Sequence, residues 1–344
     1  MKVLVSGHSG FIGPIVIRML HERGHDTIGL DVGYFDEVDQ PWSNSEKPHQ
    51  EIVCDIRNFP DDVFDGVDGI IHLCAISNDP MGQLNPEITN TINYEASIKF
   101  AKAAKKAGVK RFVFASSCSI YGNAGWADKP LDESAEFNPV SAYAVSKVNM
   151  ESGLSALADD DFSPVFMRNA TAYGVSSKTR LDLVVANLMA SGLTSNKIRV
   201  LSDGTPWRPL THIEDIALGA VCALEADQDS VHNKAFNIGR SDANYRVIDI
   251  AEKVSQMLSG VELEIVGDTA GDTRSYQVNF DYALNNLPGF TPAWDLERGV
   301  QQLLEWFEKQ DLEQDMLTSR YFIRLRQLQH LQAQHLINND LEYL

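Results

Sequence analysis

Basic side chains are scarce in this chain. Only 29 Lys and Arg stand against 48 Asp and Glu, a formal net charge of −19 over 344 residues. Binding to nucleic-acid phosphates depends on clustered cations, so no nucleic acid partner is expected. Cysteine is sparse as well: Cys54, Cys74, Cys118 and Cys222 lie far apart, with no C-x-x-C pair and no histidine at metal-ligand spacing beside them. That excludes a disulfide scaffold and fits a reducing compartment. Long apolar runs are missing too. Nothing approaches the roughly 20 residues needed to cross a bilayer, and Met1 to Gly7 run straight into a glycine turn, leaving no room for a signal peptide's apolar stretch. The expectation is a cytoplasmic protein with no membrane contact. What is present is ordinary globular composition, 44% hydrophobic and 9% aromatic, in a chain long enough for about two domains.

Short apolar and β-branched runs alternate with helical patterns through the first half. This predicts the α/β class, with a doubly wound parallel sheet and a smaller, interleaved α/β lobe. Strands are expected at residues 3–5, 27–31, 51–54, 69–74, 111–115 and 164–167. Helices are expected at 15–23, closed by Gly24, at 86–107, ended by Gly108, and over 142–157. After Gly174 the pattern loosens, and Gly204-Thr205-Pro206, Trp207-Arg208-Pro209 and Gly267 to Gly271 read as loops. The expected division is a domain over 1–175 with a returning segment at about 211–242, a second lobe over 176–210 and 243–310, and a helical tail over 311–344. In that tail Leu325, Leu328, Leu331 and Leu336 stand near helical spacing, the pattern of a packed helix.

Gly7-His8-Ser9-Gly10-Phe11-Ile12-Gly13 follows the first predicted strand and opens the first helix. The spacing G-x-x-G-x-x-G is a variant of the dinucleotide fingerprint, where glycines allow a tight turn and let a pyrophosphate sit on a helix N-terminus. Gly7, Gly10, Phe11, Ile12 and Gly13 are therefore candidate cofactor-binding residues, and the domain is expected to be Rossmann-type. Asp31 closes the second strand, where a carboxylate accepts from an adenosine ribose and repels a 2′-phosphate. Val32 and Gly33 supply no arginine for such a phosphate, so NAD is favoured over NADP. Asp55 and Ile56 follow the third strand, where the carboxylate could meet the adenine amino group; a strand-end turn is the other reading.

Tyr143 and Lys147 stand at i and i+4 of a predicted helix, on one face. A neighbouring cation favours a phenolate and moves a tyrosine toward the working range of a base. Ser116-Ser117-Cys118-Ser119-Ile120-Tyr121-Gly122 follows a strand at the carboxyl edge of the sheet, where such folds bind ligands. Taken together, Gly7, Gly10 and Gly13, Asp31, Ser117, Tyr143 and Lys147 resemble the extended short-chain dehydrogenase/reductase family, in its nucleotide-sugar epimerase and dehydratase group, over nearly the whole chain to about residue 307. The resemblance implies that Ser117 hydrogen-bonds the reacting sugar hydroxyl and that Tyr143 is the general base or acid. It also implies that Lys147 holds the nicotinamide ribose and depresses the tyrosine pKa.

Departures from the family pattern narrow the chemistry. The 4,6-dehydratases carry Thr-Asp-Glu where this chain has Ser117-Cys118-Ser119, and decarboxylating relatives keep the Glu that Ser119 replaces. Cys118 reads either as a buried small residue or as the thiol of a 3,5-epimerase. By the same resemblance Arg208, before His212-Ile213-Glu214-Asp215, and Arg274, in Gly271-Asp272-Thr273-Arg274, would clamp a nucleotide diphosphate. A planar guanidinium suits that task. Thr171 stands where relatives usually have Asn against the phosphate side of the substrate. Ser77, Asn78 and Asp79 lie near the sugar or nicotinamide, or form a turn before Pro80. His21 and His25 have metal-pair spacing but are separated by Gly24, so no metal is assigned; His72 and His212 read as core histidines. The preferred expectation is an NAD-dependent nucleotide-sugar epimerase acting at C4. A 4-ketosugar reductase using NAD(P)H, an epimerase at C2 or at C3 and C5, and a non-catalytic NAD sensor are the competing readings. Relatives pair the helices near 93–106 and 142–157, and the small residues Ala96, Ala103 and Ala107 lead us to expect a homodimer.

Overall fold

Strands buried on both faces need apolar residues at nearly every position, and the first half of the chain supplies them. Among the residues that the computed structural model describes (1–38, 46–77, 79–123, 129–267, 274–310 and 313–344) there are twelve strands. Asn78, Gly271, Asp272 and Thr273 lie outside the described residues, as does most of the expected loop from Gly267 to Gly271. The strands are β1 (Lys2–Ser6), β2 (Asp26–Asp31), β3 (Gln50–Val53), β4 (Gly69–His72), β5 (Arg111–Ser117), β6 (Ser163–Asn169), β7 (Thr171–Tyr173), β8 (Lys197–Val200), β9 (Trp207–His212), β10 (Lys234–Ile238), β11 (Asn244–Arg246) and β12 (Glu262–Ile265). Seven of them form one parallel sheet in the order β10-β6-β5-β4-β1-β2-β3. The chain runs outward from β1 to β3 and then returns to place β4 on the other side of β1. The carboxyl ends of β1 and β4 therefore flank the crevice where doubly wound sheets bind ligands.

The helix expected over 86–107 is built in three pieces: Pro86–Asn90, one π-helical turn at Thr91–Ala96, and Ser97–Lys106. Such turns tend to re-aim side chains at functional sites. Here Asn93 accepts from Ile76 N at 2.7 Å and donates to Ile76 O and Ser146 Oγ, each at 3.1 Å. Ala96 is buried in this chain's own core, so of the three small residues expected to face a partner only Ala107 is exposed.

Outside the large sheet lie the three-stranded sheet β11-β9-β7, whose β7 falls within the stretch 1–175 expected as the first domain, and the parallel pair β12-β8. A separate core includes Leu181, Met189, Ile198, Ile250, Val300 and Leu303. Trp207-Arg208-Pro209, expected as a loop, opens β9. The proline and the preceding Gly204 suggested a break, but Trp207–Pro209 pairs with β11 and the next three residues, Leu210–His212, pair with β7, so the segment is the first half of one strand. The tail contains the helix Arg324–Ala333. Its Leu328 and Leu331 are buried, while Leu336 lies beyond the helix and is exposed. Phe322 joins that separate core, whereas Leu328, Leu331, Ile337 and Leu341 join that of the large sheet.

His72, the buried last residue of β4, bonds Ser6 Oγ at 2.7 Å and Ser97 Oγ at 3.0 Å. Burial pushes its pKa down to about 3, so the folded chain refuses a proton that the unfolded chain accepts below the ordinary histidine value. Stability is therefore lost as pH falls from about 6.5 toward 3, at up to about 1.4 kcal/mol per pH unit for this group. Urea unfolding near neutrality and near pH 5 is expected to show the loss, and a His72→Gln variant is expected to show less of it.

Candidate active site

The turn after β1 needs backbone where no side chain fits. Gly7 holds φ +79°, and a Cβ there would lie 2.7 Å from Cys74 N; a Cβ on Gly13 would lie 2.2 Å from His8 O. The helix Gly13–Glu22 starts without a side-chain cap and carries Pro14 in its first turn, so its first amide groups are left to an anion. Gly7, Gly10, Phe11, Ile12 and Gly13 line one cavity of about 540 Å³ with Asp31, Asp55 and Ile56. Asp31 accepts from Gly33 N at 2.9 Å and Ser9 N at 3.2 Å. Burial raises its pKa, and these amides oppose the rise. Asp55 both lines the cavity and forms a strand-end turn, accepting from Arg57 N at 2.8 Å and pairing with the Arg57 guanidinium at 2.5 Å. A cradle in which a Cβ would clash, next to a carboxylate held by amides, fits a dinucleotide.

The same cavity is lined by Ser117, Tyr143 and Lys147. Ser141 caps the helix Ala142–Ser155, accepting from Ala144 N at 3.2 Å, and its hydroxyl is bonded to Asp79. This places Tyr143 and Lys147 in the first two turns, against the end of β5. Ser117 Oγ accepts from Ser119 N at 3.1 Å, which leaves its own proton to be donated into the cavity that it lines together with Tyr143. Lys147 is buried; its Nζ donates to Ala115 O at 2.6 Å and sits 4.7 Å over the Phe114 ring. Burial brings the lysine down to about 8, opposed by Cys74 and Glu151. The expected depression of the phenol is not what this structure shows. Burial pushes Tyr143 up to about 12, against the pull of Ser117, Arg180 and Arg274, and Lys147 Nζ stays 5.5 Å from the phenol ring centre.

Thr171, Arg208, Arg274 and Ser77 line the same cavity. Arg208 Nη1 donates to Trp207 O at 2.9 Å and to Arg274 O, and Arg274 is ion-paired with Asp79. Cys118 is turned away: its buried thiol donates to Arg168 O at 3.2 Å, and burial raises its pKa. It is not among the residues lining the cavity. Among the described residues no cluster of His, Cys, Asp or Glu could hold a metal, and His21 and His25 bond to Thr27 and Glu225, respectively.

A family model described as "NAD dependent epimerase/dehydratase family" matches residues 3–239. The chain belongs to that family. It is 25% identical over 315 residues to a putative UDP-glucose 4-epimerase of Methanocaldococcus jannaschii, covering 89% of this chain and 98% of that one. It is 24% identical over 315 residues to a UDP-glucose 4-epimerase of Corynebacterium glutamicum, covering 85% and 91%. The structure of MoeE5 in complex with UDP-glucose and NAD superposes with a TM-score of 0.76 at 25% identity, over 90% of this chain and 99% of that one. The family's coenzyme is NAD, in agreement with the glycine cradle.

Within this epimerase/dehydratase fold the cavity holds residues that the sequence did not single out. Arg180 donates to both Asp182 oxygens at 2.8 Å and to Ser77 Oγ at 3.3 Å, and it lines the cavity together with Tyr143. Ser119 Oγ and Asn169 Oδ1 are buried on the wall without a protein partner. Glu151 stands one turn beyond Lys147 and was legible as the third member of the Tyr143–Lys147 face. It accepts from Ser116 Oγ at 2.5 Å and pairs with Arg168 at 2.8 Å, both side chains being 6% exposed. Arg168 in turn donates to Tyr121 and to Glu133 O. Removing one partner of a buried pair strands the other charge, so Arg168→Met is expected to cost about 3–5 kcal/mol in denaturant unfolding. The double variant Glu151→Leu with Arg168→Met is expected to recover part of that loss.

Proposed function

We propose that the protein is an NAD-dependent nucleotide-sugar epimerase acting at C4 through a transient 4-keto sugar. The observation that carries this reading is that Ser117, Tyr143 and the buried Lys147 line the same cavity as the glycine cradle. NAD, when bound, supplies a hydride acceptor that gives back what it takes, and its oxidised ring adds a positive charge next to the phenol. Tyr143 as phenolate then takes the proton of the C4 hydroxyl and later returns it, while Ser117, held by Ser119 N–H, aims its own proton at the C4 oxygen. Lys147 would serve while protonated, holding a positive charge 5.5 Å from the centre of the phenol ring and its donors ready for a ribose hydroxyl. Arg208 and Arg274 would take the diphosphate, and Thr171 and Ser77 the neighbouring polar groups of the substrate.

Two observations favour epimerisation over elimination. The substrate-side carboxylates of the cavity, Asp79 and Asp182, are ion-paired with Arg274 and Arg180, and Ser119 offers a hydroxyl where elimination needs an acid. The relatives' substrate makes UDP-glucose the first compound to try. A homodimer is part of the proposal: Val145, 42% exposed on the helix of Tyr143, is an apolar residue that a partner helix would cover, and mass in solution tests it.

With a panel of nucleotide sugars, the wild type is expected to give a mixture of two C4 epimers without accumulating NADH. Tyr143→Phe is expected to lower kcat by roughly 10²–10⁴-fold, the range for losing a positioned acid–base group, while retaining its bound coenzyme. Full activity in that variant, or net NADH release with each turnover, overturns the proposal.

A further inference from the structure

The structural relatives cover nearly all of their own length but only 90% of this chain, so about a tenth of this protein has no counterpart in them. Its C-terminal strap, residues 324–343, meets the cavity wall through Tyr34 and at Arg324. Tyr34, which lines the cavity beside Asp31, donates its hydroxyl to Leu341 O and stacks on Tyr343 with ring centres 5.7 Å apart. The Tyr343 hydroxyl donates to Gly33 O at 3.3 Å. Arg57, whose guanidinium holds Asp55, spends its other donors on Asp340 O at 2.7 Å and Leu341 O at 3.1 Å. Leu341 adopts φ +58°, a conformation rare for leucine that its surroundings must hold in place. Further back, Gln327 donates to Tyr34 O at 3.0 Å, and Arg324, itself on the cavity wall, lies 4.3 Å over the Phe35 ring and donates to Lys178 O at 2.9 Å.

We propose that residues 324–343 are part of the coenzyme site, bracing from behind the wall against which the adenosine half of the dinucleotide binds. Tyr34 and the Asp55–Arg57 pair face the cavity on one side and the strap on the other. Release of the strap removes the partners of the Tyr34 hydroxyl and of two Arg57 donors. The two equilibria are linked and the linkage is reciprocal: strap docking slows coenzyme loss, and bound coenzyme holds the strap down. This rests on the coenzyme assignment and is independent of the sugar chemistry.

The test uses NADH and no sugar. Displacement of bound NADH by excess NAD is followed by fluorescence in the full-length wild type and in Leu341→Asp, which places a charge in the buried seat of the strap. Release is expected to be about ten-fold or more faster in the variant, an effect on dissociation rather than association. Tyr343→Phe, which removes only the bond to Gly33 O, is expected to give a smaller acceleration and remains informative if Leu341→Asp does not fold. In the wild type, saturating NAD is expected to slow amide exchange across residues 337–343. Unchanged NADH release in the folded variants, or exchange in the strap that is indifferent to NAD, overturns the proposal.

Discussion

A protonated lysine held out of water is the constraint around which the reacting end is arranged. Lys147 is placed by the helix Ala142–Ser155 between a carbonyl of β5 and the face of Phe114, and burial already lowers its pKa to about 8. Such a charge is tolerated only where dipoles and nearby anions answer it. The carbonyl end of β5 supplies the dipole, Glu151 on the same helical face the anion, and Arg168 balances Glu151 in turn. The Ser141 cap, the Asn93 clamp on Ser146 and the packing of β5 against β6 all fix that helix. The phenol one turn before the lysine therefore points where it does for reasons settled well outside the cavity.

Charge also bears on the proposed function, which asks a protein of net charge −19 to serve an anionic coenzyme and an anionic substrate. Its cations are local and their direction is fixed: Arg208 by a backbone carbonyl, Arg274 by Asp79, Arg180 by Asp182, and Arg324 by the Lys178 carbonyl. Each is pre-oriented by a partner, which lowers the entropy lost when a phosphate or sugar arrives. The acidic excess stays on the rest of the surface and bears on solubility more than on binding.

Much of the coenzyme half was legible in the sequence because its signals are local. A strand, three glycines, a helix and an acid at the end of the next strand lie within Lys2–Asp31, and the turn they build admits no side chain at Gly7 or Gly13. Tyr143 and Lys147 were legible for the same reason, one helical turn apart. What escaped depends on contacts between distant residues. Arg180 reaches Ser77 across 103 positions, and Tyr34 meets Leu341 across 307; no local pattern carries such pairings. The loop expected at Trp207–Pro209 failed because pairing with the distant β11 outweighed the signal of a proline. The phenol's pKa was misjudged because i, i+4 spacing reports proximity to a cation and is silent about the depth of burial, which dominates here.

The central claim is that hydrogen leaves C4 of a sugar, waits on a coenzyme that does not depart, and returns to the same carbon. A nucleotide sugar deuterated at C4 and incubated in ordinary water measures this directly. Both epimers are predicted to keep the deuterium at C4, with none lost to solvent. Washout of the label into water, or its appearance in free NADH, would contradict the account.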